Sequence, residues 1–516
     1  CCEDSRLDMK KSDEHSHQGQ TEQLVVAGSA VLLASIFGNG LNYLFGVFLA
    51  RFLGADQFGL YALALAFFTT LTMVVPLGMD AGAIKFISEY RTRQDSQGAQ
   101  RIVLMAGTVT FLTAALTAIC LAGLSSLISL SVYHKPELNI LLLYVAAGIP
   151  LYALTSILLA SLQSHHTVRP LIVVRYLWEP IGKFILAGLV ISAGWGLAGV
   201  FGALLIAMLV SLTLTLGFLR TVVRFRRPMI DLWSRKEAAR LMRYCLPLGV
   251  ATVFGVVAPR ADILMLGSWV NVHEIGIYQA AFQTAAALAL ILGALESSLT
   301  PFFGQLHAQN DIAGLRHMYQ TASKLVLLFT VPLFVLLAVF SEEVLSIFGT
   351  EFRAGGTLLI VLASGQLPSS AGGSPNNLLL MGGHSRLVMW NTIGVGLLAF
   401  GVFACTIPLW GVLGAAIGAA STQVFGVGLR ILQVWRIFHI QPFSQRLVKP
   451  LLAGLSSAVL GLSLKPDVPA LLLPGLGLMM GLVYIVLLIA LKLDPQDRQA
   501  LNALVSKAKM IVAARA

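Results

Sequence analysis

Charged and amide side chains buried in otherwise apolar runs are the residues of this chain that could do chemistry. In the run RYLWEPIGKF, Arg175, Glu179 and Lys183 are spaced four apart, so a helix carries all three on one face. Glu179 can pair with either cation, which leaves the stripe net positive and suited to a substrate carrying phosphates. The alternative is an ion ladder that secures neighbouring helices. Pro180 removes a backbone donor within the stripe and is expected to kink the helix there. A second group is Pro259-Arg260-Ala261-Asp262. Arg260 reads as a phosphate or sugar contact and Asp262 as its partner or a cation site, against a purely structural Arg–Asp pair. Between Gly365 and Asn377 the chain is rich in Pro, Gly, Ser and amides, which predicts a broken helix. Broken helices at membrane depth line wet cavities, so Gln366, Asn376 and Asn377 could hydrogen-bond sugar hydroxyls. Close helix packing by small residues is the rival explanation. Asp80 and Glu296 each close an apolar run, and read either as a matched gate with cationic partners such as Lys85 or as interfacial caps.

Other chemistries find no support in the residues. There is no phosphate loop, no metal-ligand spacing and no nucleophile elbow. The expectation is therefore no catalytic residue, no metal and no cofactor. Any uphill work would draw on a sodium or proton gradient or on the membrane potential. The five cysteines form no spaced set with histidine, and three of them stand alone in apolar runs.

The elements that must position these groups follow from composition. The 516 residues are 57% hydrophobic and only 11% charged, with mean hydropathy +0.82. Soluble domains carry roughly a quarter charged residues, so this is the composition of a polytopic membrane protein. A spanning helix needs about 20 mostly apolar residues. Runs of that kind are expected at 25–50, 57–79, 102–128, 138–163, 170–193 and 196–219, then at 244–270, 276–300, 322–348, 355–381, 387–408 and 411–433, with a last pair at 448–465 and 468–491. The fold class expected is all-α, with about fourteen transmembrane helices arranged as six, six and two.

The net charge of +11 is a topology signal rather than a nucleic-acid one. Loops after even-numbered segments hold most of the Lys and Arg, including Lys85, Arg91, Arg93, Arg101 and the cluster from Arg220 to Arg243; odd loops hold only Arg51, Lys135, Arg353 and Lys465. Even loops and both termini are therefore expected in the cytoplasm, with some attraction for anionic membrane lipids. The domain expectation is a polar cytoplasmic tail at 1–21, six-helix lobes at 22–225 and 226–440, an extra helix pair at 441–492 and an amphipathic tail at 493–516. The chain opens on Cys-Cys rather than Met, which suggests a truncated N-terminus without a recognisable signal sequence.

The two lobes are related by a weak internal repeat. Gly59-Leu60-Tyr61 returns as Gly276-Ile277-Tyr278, and Asp80 falls opposite Glu296. Phe86, Asp95 and Gly98 likewise fall opposite Phe302, Asp311 and Gly314.

The segment FLARFLGADQFGLYALALAF, with the later GMDAG turn and KFISEYRTRQD, resembles the start of the polysaccharide-biosynthesis flippases. These are the O-antigen and exopolysaccharide flippases of the multidrug/oligosaccharidyl-lipid/polysaccharide exporter superfamily. PRADILMLGSWVNVHEIGIYQAAFQ resembles their repeated motif. The resemblance implies two pseudo-symmetric six-helix lobes around a central cavity and alternating access. It also implies a polyprenyl-diphosphate-linked oligosaccharide as substrate, carried from the inner to the outer leaflet of the cell's inner membrane. A polysaccharide polymerase and glycosyltransferases would be its partners. The lipid II flippases are similar in helix number, and by analogy the last helix pair would bind lipid. The Asp-Ala-Phe sequence expected of that branch near the first exit loop is absent, which argues against a peptidoglycan precursor. Two other readings stay open: a cation-coupled small-molecule exporter using Asp262 or Glu179, and a membrane polysaccharide polymerase or ligase. The short exit loops speak against the last.

Overall fold

The computed structural model describes residues 2–165, 167–222, 235–257, 260–443, 447–465, 469 and 472–490. Among these, all regular structure is helical. In chain order the helices are α1 (Cys2–Val74), α2 (Met79–Thr92), α3 (Ser96–Ser126), α4 (Glu137–Gln163), α5 (Arg169–Leu171), α6 (Glu179–Ser192), α7 (Gly196–Val222), α8 (Arg235–Val257) and α9 (Ala261–Trp269). They continue as α10 (Val272–Ala308), α11 (Ile312–Val339), α12 (Ser341–Leu345), α13 (Gly356–Ala371), α14 (Pro375–Met381), α15 (Ser385–Phe438), α16 (Val448–Leu464) and α17 (Leu473–Ala490). The tail expected at 493–516 lies outside the described residues, as do Pro259 and the side chain of Glu296.

Two of these helices are hairpins. Gly54 (φ 76°, ψ 172°) interrupts α1 and Gly411 (φ 55°, ψ −131°) interrupts α15, each at a positive φ that glycine adopts readily. The Phe45 and Tyr61 rings are 6.4 Å apart, whereas a straight helix would separate them by about 24 Å. A Cβ on Gly418 would stand 2.8 Å from Phe403, which shows the same reversal in α15. Each hairpin thus holds two of the apolar segments expected from the sequence. The second segment ends earlier than expected, at Val74 rather than residue 79. Pro76 has no N–H to give, and Gly78 is left-handed (φ 77°), so the helix stops and restarts as α2. Asp80 consequently sits in the first turn of α2, where the helix dipole favours a carboxylate, and does not close the preceding helix.

Packing divides the chain into two compact units. The first comprises residues 1–280, 347–352 and 392–418. Within it α3 lies along α4, α4 along α7 and α7 along α6. Met79, Phe86 and Ile87 of α2 bury against Ile102 and Met105 of α3, Ile157 and Leu162 of α4, and Leu241 and Cys245 of α8. Charged residues near the start of α8 help to dock it. Arg240 bonds Glu89 at 3.0 Å, and Glu237 accepts from the Tyr90 hydroxyl at 2.8 Å and faces Arg101 at 3.5 Å. Exposed pairs of this kind contribute about 0–1 kcal/mol each, so the apolar core dominates.

The second unit comprises residues 281–346, 353–391 and 419–516. Leu327, Val331, Val335 and Val339 form a four-residue stripe on α11, and Leu476, Met480, Tyr484 and Leu488 form its counterpart on α17. Between them α16 offers Gly454, Ser457 and Gly461, small residues that let backbones approach. Polar bonds pin the pair. The Ser457 hydroxyl donates to the Met480 carbonyl at 2.9 Å and the Tyr484 hydroxyl to the Leu328 carbonyl at 3.0 Å. Lys465 reaches Glu343 at 2.9 Å and the Val339 carbonyl at 2.7 Å.

Six helical stretches among the described residues are long and apolar enough to cross a membrane, and α16 and α17 are shorter apolar helices. Phe111, Leu116 and Ile119 on α3 and Leu478, Leu482 and Ile485 on α17 point outward, where lipid can cover them. Exposed Trp195, Trp269 and Trp410 stand beside loops poor in Lys and Arg, while Trp390 and Trp435 stand near Arg386 and Arg436. That is the placement of interfacial aromatic belts. The protein is a multi-pass membrane protein.

The repeat is visible in local geometry. Asp95 (φ −87°, ψ 86°) caps α3 by accepting from the Gly98 N–H at 2.8 Å, and Asp311 (φ −83°, ψ 81°) caps α11 by accepting from the Gly314 N–H at 2.8 Å. Left-handed Gln94 (φ 57°) and Asn310 (φ 56°) precede them. Within the first unit, repeat-matched Gly59 and Gly276 meet backbone to backbone. A Cβ on Gly59 would collide with the Val272 carbonyl, and one on Gly276 with the Ala55 carbonyl. A local two-fold axis brings a residue against its own counterpart in this way.

Gly59→Ala and Gly276→Ala are expected to lower stability by about 1–3 kcal/mol through overpacking. Gly217→Ala, whose Cβ meets nothing within 4 Å, should be neutral or stabilising by up to about 1 kcal/mol. Thermal melting of detergent-purified protein checks the contrast.

Candidate functional site

Most of the charged residues singled out in the sequence come together in the first unit. The helix that carries the stripe does not simply kink at Pro180. A π-helical segment, Ile172–Trp178, precedes α6, and Pro180 occupies the first turn of α6. Single π-turns of this kind occur often at functional positions. Arg175, on the π segment, donates through Nη1 to both Glu179 carboxylate oxygens at 3.1 and 3.3 Å. Its Nη2 bonds the hydroxyl of Tyr152 on α4, and the guanidinium lies 4.3 Å from the centre of the Tyr152 ring. The ring itself is braced edge-on by Phe68 at 5.3 Å.

Lys183 stands apart from that pair. Its Nζ lies 5.0 Å from the centre of the Phe45 ring, and no carboxylate among the described residues is within 4.0 Å of it. Glu179 therefore selects Arg175, and Lys183 supplies the net charge of the stripe. Cation–π contact at a half-buried site is worth about 0.5–2 kcal/mol, less than a buried ion pair needs but enough to set an orientation.

From Phe45 the contacts lead to the second charged group. Phe45 is edge-on to Tyr61, and Arg260 acts electrostatically on both Tyr61 and Asp262. Arg260 forms the N-cap of α9 and Asp262 lies in its first turn, 2% exposed. One Asp262 oxygen accepts from the Ile263 N–H at 2.7 Å, and the other from the Tyr278 hydroxyl of α10 at 2.6 Å. Tyr278 is fully buried. Helices α1, α4, α6, α9 and α10 and the π segment thus assemble one band of cations and aromatic rings.

The amide group lies in the second unit. The helix expected to be broken is broken: α13 ends at Ala371, Gly373 is left-handed (φ 62°), and α14 restarts at Pro375. Gly365 lets α13 approach the Ala420 backbone, to within 2.7 Å of a Cβ built there. That approach brings Gln366 to Gln423 of α15, whose Nε2 donates to the Gln366 Oε1 at 2.7 Å and to the Ser369 hydroxyl at 3.1 Å. Asn391 and Gln433 exchange two further amide bonds at 2.6 and 2.8 Å. Asn376 and Asn377 are half-buried in the first turn of α14. Asp80 is exposed beside Cys245, and Lys85, its expected partner, instead lies 3.9 Å over the Tyr244 ring.

Sequence reasoning missed Tyr152, Tyr278, Gln423 and the Asn391–Gln433 pair. The signal for Tyr278 was present, because Tyr61 and Tyr278 are matched in the repeat and Arg260 acts electrostatically on both. Gln423 and Gln433 are isolated amides in an apolar helix, a pattern that asks for a partner.

The fold is that of a class of helical transporters. It is shared with a lipid II flippase in an inward closed conformation, at TM-score 0.72 and 16% identity over 88% of this chain and 97% of that one. An inward-facing multidrug-resistance MATE family transporter of the MOP superfamily gives TM-score 0.65 at 14% identity, covering 77% and 94%. A family model described as polysaccharide biosynthesis protein matches residues 25–307, and the chain belongs to that family. The MatE model matches residues 247–400. A probable low-salt glycan biosynthesis flippase of Haloferax volcanii is 26% identical over 350 residues, which are 66% of this chain and 68% of the relative. Stage V sporulation protein B of Bacillus subtilis is 21% identical over 444 residues, covering 81% and 85%.

The Asp262–Tyr278 contact makes a quantitative prediction. In a double-mutant cycle of Asp262→Ala and Tyr278→Phe, either change alone should destabilise, and the coupling should be about 1.5–3 kcal/mol. Melting of the four proteins in detergent measures it, and strict additivity would show that the bond is not formed.

Proposed function

We propose that the protein is a flippase for polyprenyl-diphosphate-linked oligosaccharide, moving it from the inner to the outer leaflet of the cytoplasmic membrane by alternating access. The observation that carries this reading is the band in the first unit, in a chain of the polysaccharide biosynthesis family. Lys183 and Arg260 are cations at membrane depth, where an ionised group is retained for a purpose such as binding an anion. A diphosphate is the anion that a lipid-linked sugar brings to that depth. Tyr152, half-buried beside Arg175, adds an aromatic ring and a hydroxyl suited to a sugar.

The Lys and Arg asymmetry supports a reading with the even loops and both termini in the cytoplasm. Loading then occurs where glycosyltransferases assemble the glycan, and release where a polymerase extends it. An ion gradient or the membrane potential would drive the cycle. The match to the MatE model favours a second reading, a cation-coupled exporter with Asp262 as ion site. Both Asp262 oxygens are already engaged by donors, which supports the flippase reading over this one.

Leaflet-resolved detection of lipid-linked glycan in a complemented deletion strain tests the proposal. The deletion should leave the glycan on the inner leaflet. Lys183→Gln and Arg260→Gln should each slow flipping about tenfold or more at unchanged protein level, the scale of one lost hydrogen bond to a charged group. Arg175→Gln strands Glu179, so Arg175→Gln/Glu179→Gln should flip better than Arg175→Gln alone. Normal flipping when Arg175, Lys183 and Arg260 are each neutralised would falsify the cationic-site reading.

A further inference from the structure

The loops poor in Lys and Arg carry a second set of polar contacts, all within the first unit and apart from the charged band. Lys135, in the loop between a π-helical turn at Leu127–Val132 and α4, extends its ammonium to the carbonyls of Gly267 and Val270, the latter at 3.1 Å. These carbonyls lie at the C-terminal end of α9, where a helix has no donors of its own and a cation meets the negative end of the dipole. Burial holds the Lys135 ammonium below the usual lysine pKa. Two residues earlier, the Tyr133 hydroxyl donates to the Leu264 carbonyl at 2.9 Å, and its ring fills the space left by Gly267.

Glu351 lies 216 positions after Lys135, the spacing that also relates Asp95 to Asp311. It makes the reciprocal contact with the opposite charge. Its Oε1 accepts from the Ala55 N–H at 2.7 Å, where the helix restarts after Gly54. Arg51 donates through Nε to the Ile347 carbonyl at 2.6 Å. Phe348 and Phe352 then pack on Phe58, with ring centres 6.3 and 6.0 Å away. In each repeat, the loop after the third apolar segment thus closes on the first turn of the other repeat. The Gly59–Gly276 contact lies between the two closures.

We propose that Lys135 and Glu351 form a symmetric pair of clasps that latch the Lys- and Arg-poor face of the protein shut, and that both must release before this face opens. The latch is a property of the fold. It rests on the proposed transport cycle only in that the cycle requires the face to open. Each clasp joins a side chain to backbone groups at a helix end, so it can be broken without removing a core contact. Lys135→Ala and Glu351→Ala should therefore shift the balance between closed and open states while leaving the packing intact. Lys135→Arg keeps a donor and Glu351→Gln keeps an acceptor, so these variants should stay closed.

The reporter is a Leu63→Cys substitution, because Leu63 is fully buried beside Tyr133 and Gly267. A membrane-impermeant maleimide is applied to each face of sealed vesicles, and the same protein without Leu63→Cys gives the background from native cysteines. Each alanine variant should raise the labelling rate about tenfold, and the double variant more, with a monodisperse elution profile unchanged. The Arg and Gln variants should remain within about twofold of the unaltered chain. Unchanged labelling in both alanine variants overturns the latch, and so does increased labelling that appears only with loss of the monodisperse peak. The face from which the reagent reacts reports sidedness separately, and no step of the test requires glycan to be flipped.

Discussion

A bilayer offers a buried polar group no water, and the internal design of this protein follows from that constraint. An unpaired hydroxyl, amide or charge in hydrocarbon costs several kcal/mol, so polar side chains take partners, within their own helix where a turn offers one and otherwise on a neighbouring helix. Arg175 finds Tyr152, Asp262 finds Tyr278, Gln423 finds Gln366 and Ser369, and Asn391 finds Gln433. Such bonds need close helices, and close helices need small residues. Gly365 against Ala420 and Gly454 against Val331 supply that approach. The glycines and the polar pairs are two parts of one solution: the former set the distance at which the latter can form.

The same economy is imposed on the repeat. Where a two-fold axis brings a residue against its own counterpart, the side chain is counted twice, so glycine suits Gly59 and Gly276. Away from the axis the two copies are free to differ. The Asp95 and Asp311 caps kept the same residue because each answers the same orphan N–H groups at a helix start. Lys135 and Glu351 diverged to opposite charge because one faces the carbonyl end of a helix and the other an amide at a helix start. Backbone geometry is thus shared between the repeats, while side-chain chemistry follows the local end of the dipole.

This distinction also explains what could be read in the sequence. Apolar segments were legible because bilayer thickness sets their length, and the break after Ala371 was legible because Pro and Gly act locally. The change of helical winding before α6 was half legible. Pro180 marked its place, but the π segment begins at Ile172, upstream of the residue that signals it. The early end at Val74 was missed because hydrophobicity continues through Val75 and Leu77, although Pro76 and Gly78 interrupt the backbone. Partners such as Tyr152 and Gln423 were not legible. Their role depends on the rotation of distant helices about their own axes, which no local pattern encodes. Tyr61 and Tyr278 fall between these cases: their matched positions were plain, and only packing put Tyr278 on Asp262 with Arg260 acting on both rings.

The division of labour within the charged stripe follows from the same electrostatics. Two opposite charges in contact present little net field beyond a few ångströms, so Arg175 tied to Glu179 is nearly neutral to an arriving ligand. Lys183, held only against an aromatic face, remains a monopole, and a monopole acts over distance in a medium of low dielectric. An anion can draw on Arg175 only by displacing Glu179, and that exchange gives up one ion pair for each one formed. It can draw on Lys183 by replacing a contact worth far less. Tyr152 deepens the difference, because it engages the other guanidinium nitrogen and the ring contact helps to hold the group in place. Of three ionisable groups at equal spacing, the one without a charged partner is therefore the one through which the stripe can attract a phosphate.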